Sequence, residues 1–301
     1  MNVHVSHATM TQEGLPSRER LREKLQIGPW LEKRQAFQLG KDALHCELYE
    51  YDVAAPTVLF LPGIGTYSEL YAEMLGKLSE RGFNVVAIDL PGHGYSGGPR
   101  GLYTVEQVNF AVSMVLDHLQ KRFTGPFSIF GYSIGALLGV AAAEQDERIE
   151  AVLCGTLLLP DIAPDFLHEM GWQWTHASAF FFPYLKAPLR LFVDFKMLLA
   201  SHPAGEEINR DPLVVFDYPL KTLSSAFSCH CNVLKQRYPF KSAIIHGDRD
   251  EVLPLAYSKR VVEQCEQPFE LLVMEQTGHM VPWLRTDKLV DIAAKWLLNN
   301  L

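Results

Sequence analysis

Gly131-Tyr132-Ser133-Ile134-Gly135 is the stretch of this chain whose residue types and spacing point most directly to chemistry. A serine with a glycine two residues to either side fits a sharp strand-to-helix turn. Such a turn strains the serine backbone, and the flanking glycines relieve the crowding that side chains would create there. It lifts the hydroxyl beyond the sheet edge, above a helix start whose free N–H groups and dipole favour developing negative charge. A hydroxyl is a weak nucleophile until a base takes its proton. A base and an orienting acid are therefore expected downstream, in the order serine, acid, histidine.

Of the eleven histidines, His279 in Gly278-His279 suits the base, because it follows the apolar run Phe269 to Val273 and precedes the last helical pattern. His246 ends a strand and His93 sits in a glycine-rich loop, so both are read as structural. Three carboxylates compete for the acid. Asp250 and Asp248 share the loop after Ser242 to Ile245, with Asp250 the better placed and Asp248 suited to closing the turn; Asp161 is the third. The tetrahedral oxyanion of an acyl transfer needs two backbone donors. Ile134, next after the serine, offers one. Ile64, within Pro62-Gly63-Ile64-Gly65, offers the other.

These residues need a frame. Thr57 to Leu61, Asn84 to Leu90, Phe127 to Tyr132, Ile149 to Leu157, Ser242 to His246 and Phe269 to Val273 read as short apolar strands. Helical patterns fall between the first four and after the last, the order expected of a mostly parallel sheet flanked by helices. Capping boxes are expected at Thr66/Glu69 and at Thr104/Gln107. The alternation breaks from Leu158 to about Tyr238, a stretch carrying Trp172, Trp174, Phe180, Phe181, Phe182, Tyr184, Phe192 and Phe195. It reads as an inserted lid of short helices. The expected division is therefore an extension over 1–35, a core over 36–157 and 239–301, and a lid over 158–238.

Composition narrows the function classes. The 301 residues carry 27 Lys plus Arg against 35 Asp plus Glu, a net charge of −8 that leaves no footprint for nucleic acid. The basic cluster Arg18 to Lys24, interleaved with Glu19 and Glu23, reads as a solvated helix face. Met1 to Gly14 lacks the apolar core of a signal peptide, and no stretch approaches the roughly 18 apolar residues of a membrane span. Five irregularly spaced cysteines suit reduced thiols in a cytosol. Cys229-His230-Cys231 makes a poor tetrahedral metal site without a second ligand pair. No metal or organic cofactor is expected.

Taken together, the chain from about residue 36 onward resembles the α/β-hydrolase superfamily, and within it the monoacylglycerol lipase and lysophospholipase-like branch. The narrower likeness rests on Asp89-Leu90-Pro91-Gly92-His93-Gly94-Tyr95-Ser96-Gly97-Gly98, on Asn209-Arg210-Asp211-Pro212-Leu213, and on Gly247, Asp250 and Gly278-His279. It implies a triad of Ser133, Asp250 and His279, oxyanion donors at Ile64 and Ile134, and a small-molecule carboxylic ester with an apolar acyl chain as substrate. The branch usually opens its oxyanion loop with His-Gly, where this chain has Pro62-Gly63. Relatives with an aspartate nucleophile are disfavoured by the serine. Thioesters, small esters and amides remain open, as does a ligand-binding protein on the same fold, which slow turnover with tight binding of one small molecule would reveal.

Overall fold

The computed structural model describes residues 14–191, 193–200 and 202–301; expectations for Met1 to Glu13 and for Phe192 lie outside them. Among the described residues ten strands form: β1 (Gln35–Leu39), β2 (Leu44–Tyr49), β3 (Thr57–Leu61), β4 (Asn84–Ile88), β5 (Phe127–Tyr132), β6 (Ile149–Gly155), β7 (Lys186–Pro188), β8 (Asp217–Pro219), β9 (Lys241–Gly247) and β10 (Phe269–Met274). Eight of them make one sheet in the order β1-β2-β4-β3-β5-β6-β9-β10. β2 runs antiparallel to both neighbours, and the six strands from β4 to β10 are parallel. β7 and β8 pair separately in an antiparallel ribbon.

Alternation along each strand explains the layers. Val58 and Phe60 face one core cluster, with helices Ala72–Ser79 and Thr286–Asn300. Leu59 and Leu61 face the other, with helices Val105–Leu119 and Ile134–Ala143. Strands buried on both faces read as continuous apolar runs, as these do. The order also places a crevice. From β3 the chain steps to β4 on one side and then returns to β5 on the other, which opens a crevice at the carboxyl ends of β3 and β5. Ser133 and the loop after Leu61 both lie there.

Two local expectations are corrected. Thr104 and Gln107 do form the reciprocal box that starts helix Val105–Leu119. Thr66 and Glu69 do not: Ser68–Tyr71 is a 3-10 turn, the helix starts at Ala72, and its end has no side-chain cap. Glu69 instead accepts from Arg18, Arg22 and Arg34. Charge-assisted bonds to guanidinium groups outcompete one backbone N–H. The same contacts overturn the solvated reading of Arg18 to Lys24. In helix Gly14–Leu25, Arg18 is only 4% exposed, Arg22 joins it on Glu69, and Lys24 pairs with Glu207 at 2.9 Å.

Between β6 and β9 the chain leaves the sheet. It forms helix Phe166–Phe181, the β7/β8 ribbon, the short helices Phe195–Leu198 and Gly205–Arg210, and helix Leu220–Phe227. No described helix is long and apolar enough to cross a membrane.

Candidate active site

Ser133 stands between the end of β5 and the start of helix Ile134–Ala143, with φ +54° and ψ −121°. A side chain held in that region costs roughly 1–3 kcal/mol and persists only where the surroundings impose it. Here they do. Its N–H donates to Gly155 O at 2.7 Å, and its carbonyl accepts from Ala136 N at 2.8 Å. The glycines are needed for space. A Cβ on Gly131 would lie 2.1 Å from Gly135 O, and one on Gly135 would lie 2.2 Å from Leu61 O.

His279 meets Asp250 through Nδ1 and Oδ2 at 2.8 Å. A carboxylate only accepts, so Nδ1 carries the proton and Nε2 keeps its lone pair. Asp250 is fixed on its other side, where Oδ1 accepts from the backbone of Val252 and Leu253, both at 2.8 Å. Burial opposes its ionisation. The bond and charge of His279 and the two backbone donors outweigh that and hold the carboxyl below its ordinary range. The other acids serve elsewhere: Asp248 does not close its own turn as expected but accepts from Thr277 N, 29 residues on, tying its loop to the one that carries His279, and Asp161 pairs with His230 and Cys231 N. His246 is buried between Leu253 O and Ser258, and His93 between Pro91 O and Tyr218.

Ser133 and His279 line one cleft with Gly63, Ile64, Phe195 and Trp283, though no hydrogen bond joins Ser133 Oγ to the imidazole. Such bonds commonly tighten only when substrate arrives. Two larger cavities, of about 570 and 530 Å³, lie along helix Val105–Leu119, and none of Ser133, Asp250 and His279 lines them. Chemistry rather than volume identifies the site.

In the loop after β3, Gly63 N donates to Tyr71 Oη at 3.1 Å, Gly65 N to Tyr218 Oη at 2.8 Å, and Thr66 N to Gly63 O at 3.2 Å. Ile64 N–H and Ile134 N–H have no partner among the described residues. A Cβ on Gly63 would lie 3.6 Å from Ser133 Cβ, so the loop sits against the serine.

Four supporting side chains escaped the sequence reading. Thr156 Oγ1 donates to Asp250 Oδ2 at 3.1 Å, and its φ of +56° ends β6 two residues earlier than the apolar run implies. Glu251 accepts from His279 N, and Tyr132 Oη donates to His279 O, pinning the histidine backbone on both sides. Tyr218 reaches in from β8. Glu251 and Tyr132 are chain neighbours of motif residues and could have been suspected; Thr156 and Tyr218 carry no local signal. Of the eight aromatic residues singled out between 158 and 238, Phe195 alone among those described lines the cleft.

A family model described as "Serine aminopeptidase, S33" matches residues 53–282. The chain is similar to a putative non-heme haloperoxidase of Mycobacterium phage D29, 37% identical over 101 residues, which are 33% of this chain and 34% of that protein. It is also similar to a haloalkane dehalogenase of Psychrobacter cryohalolentis, 36% identical over 110 residues, 35% of each. These matches span about a third of the relatives' lengths. In fold it is similar to the crystal structure of a Paleococcus ferrophilus monoacylglycerol lipase. That match has a TM-score of 0.70 and 22% identity, covering 86% of this chain and 99% of the other.

Proposed function

The chain belongs to the serine aminopeptidase S33 family of α/β-hydrolases, and from that premise we propose that it is a serine-dependent carboxylic ester hydrolase. The observation that carries the reading is His279, bonded to Asp250 at 2.8 Å, sharing a cleft with a serine held at positive φ.

In this mechanism Ser133 Oγ attacks the acyl carbonyl while His279 Nε2 takes its proton, and Asp250 orients the imidazole and stabilises its charged form. The oxyanion is met by the N–H groups of Ile64 and Ile134. His279 returns the proton to the leaving alkoxide, and water then releases the acyl group by the reverse sequence. Aspartate-based displacement of halide, the chemistry expected of a dehalogenase, has no nucleophile here because the elbow carries serine.

Esters suit the cleft better than peptides with a free amino terminus. An α-ammonium group calls for a carboxylate to receive it, and none of the described residues lining the cleft is acidic. Ile64, Val193, Phe195, Leu198, Met280 and Trp283 instead favour an apolar acyl group. Lipid-like esters such as monoacylglycerols or lysophospholipids are the finer reading, supported by those walls and by the fold likeness to a monoacylglycerol lipase. Residues 158–238 then act as a lid on a core formed by 36–157 and 239–301. The five free cysteines support a reducing, cytosolic setting.

Hydrolysis of p-nitrophenyl esters of increasing acyl length, by the wild type and by Ser133→Ala, tests the proposal. Cleavage by the wild type and not by the variant is expected. Equal activity in both would remove Ser133 from the mechanism.

A further inference from the structure

The loop Gly63–Thr66 presents four consecutive N–H groups beside Ser133, and three of them are used inside the protein. Proton counting shows how. Thr66 Oγ1 donates to Gly63 O at 2.7 Å, so in its 2.8 Å contact with Tyr71 it must accept the phenol proton. Tyr71 Oη is then free to accept from Gly63 N. On the other flank, His93 Nδ1 faces Pro91 O, which only accepts, so Nδ1 bears the proton and Nε2 accepts from Tyr218. Tyr218 Oη in turn accepts from Gly65 N. Each hydroxyl has one defined donor and one defined acceptor, and both rings are buried.

A second strand of contacts reinforces the outer flank. Val215 N donates to Gly65 O at 2.8 Å, and Gly65 takes φ +74°, where a Cβ would lie 2.5 Å from Val215 O. Pro62, at the head of the loop, has neither an N–H nor a polar side chain to help.

We propose that Tyr71 and Tyr218 are the positioning residues of the oxyanion hole: they take the N–H groups of Gly63 and Gly65 and so hold the one between, on Ile64, for the substrate oxygen. The inference rests on the ester-hydrolase reading above. It assigns the two flanks to different parts of the chain. Tyr71 grips from the 3-10 turn Ser68–Tyr71 just after the loop, and Tyr218 grips from β8, in the segment between β6 and β9. The oxyanion hole is therefore complete only while that segment is seated on the core.

Removing each hydroxyl as Tyr71→Phe and Tyr218→Phe keeps the ring and its packing. With p-nitrophenyl acetate, kcat is expected to fall on the order of 10- to 100-fold with KM changed less than about threefold. That is short of the roughly 10²- to 10³-fold cost of deleting a donor outright. Affinity for an alkyl trifluoromethyl ketone, whose adduct with Ser133 bears the oxyanion, is expected to fall by the same factor as kcat/KM. The unfluorinated ketone should bind as before. A merely structural role would not split the two ketones.

Thermal melting identifies a variant that fails to fold; Thr66→Val, which removes the acceptor for the Tyr71 proton, then takes the place of Tyr71→Phe, and His93→Gln, which alters the acceptor for the Tyr218 proton, that of Tyr218→Phe. Folded variants with unchanged kcat, or with a loss confined to KM, would overturn the proposal and leave the hydrolase reading standing. A wild type that neither cleaves the ester nor reacts with a fluorophosphonate would overturn both.

Discussion

Helix Ile134–Ala143 and helix Phe166–Phe181 are both rich in apolar residues, yet every residue of the first is buried and only Thr175 of the second is. The first starts just after Ser133 and lies in the layer on one face of the sheet, where its glycines admit β3 and β5 closely. The second packs Trp172 against Phe227 at 5.4 Å and otherwise turns large side chains to solvent, with Phe180 82% and Phe181 73% exposed. Apolar content alone did not decide burial. A sheet edge with a fixed strand order dictates what lies above it, whereas the segment between β6 and β9 has no such template. Its contribution to the site is made by Val193, Phe195, Leu198 and Tyr218, not by its most aromatic stretch.

The largest effect expected on the sheet side comes from Asp250→Asn. The carboxamide cannot balance the imidazolium and offers Nδ1 a donor as readily as an acceptor, which favours the wrong tautomer. A loss of kcat of about 10⁴-fold follows. Turnover of p-nitrophenyl acetate measures it, and a loss smaller than tenfold would return the acid role to Asp248 or Asp161.

Next comes Glu69→Ala, expected to destabilise the fold by about 3–5 kcal/mol, because Arg18 and Arg34 would keep buried charge with one carboxylate fewer. The pH dependence is separately testable. Burial opposes ionisation of Glu69, but the Arg22 bond and the charges of Arg18, Arg22 and Arg34 outweigh it and hold the carboxyl at about 2. A depressed carboxyl stabilises the fold fully above its unfolded value of about 4.5, and that contribution fades as pH falls towards 2. Urea melts between pH 6 and pH 3 should show a steeper acid loss in the wild type than in Glu69→Ala.

Glu69 also marks where sequence reading stops. The six parallel strands, the Thr104/Gln107 box, the strand-to-helix turn at Ser133 and the Gly-His loop at 278–279 were legible, because each is encoded within a few residues by periodicity or turn chemistry, whereas β1, β2, β7 and β8 were not. The acid could be narrowed to three carboxylates, and only the fold brings one of them to His279. Glu69 carried a plausible local signal that lost to partners 35 to 51 residues away, and the Arg18 to Lys24 cluster was misread for the same reason. Thr156 and Tyr218 act through hydrogen bonds spanning 94 and 153 residues, for which no pattern in the chain gives notice.

The smallest effects sharpen the comparison of the two helices. Leu137 is fully buried, and Leu137→Ala should cost about 2–5 kcal/mol by removing contacts that neighbouring side chains cannot restore. Phe180→Ser removes a larger side chain, and on size alone should cost more. Because Phe180 is mostly in water in the folded as in the unfolded chain, burial accounting predicts a change within about 0.5 kcal/mol. Chemical denaturation of both variants at one protein concentration decides it. A large loss for Phe180→Ser would mean that this face is covered in solution and that the contrast between the helices is one of partners rather than of packing. A negligible loss would place the energetic core wholly on the sheet side.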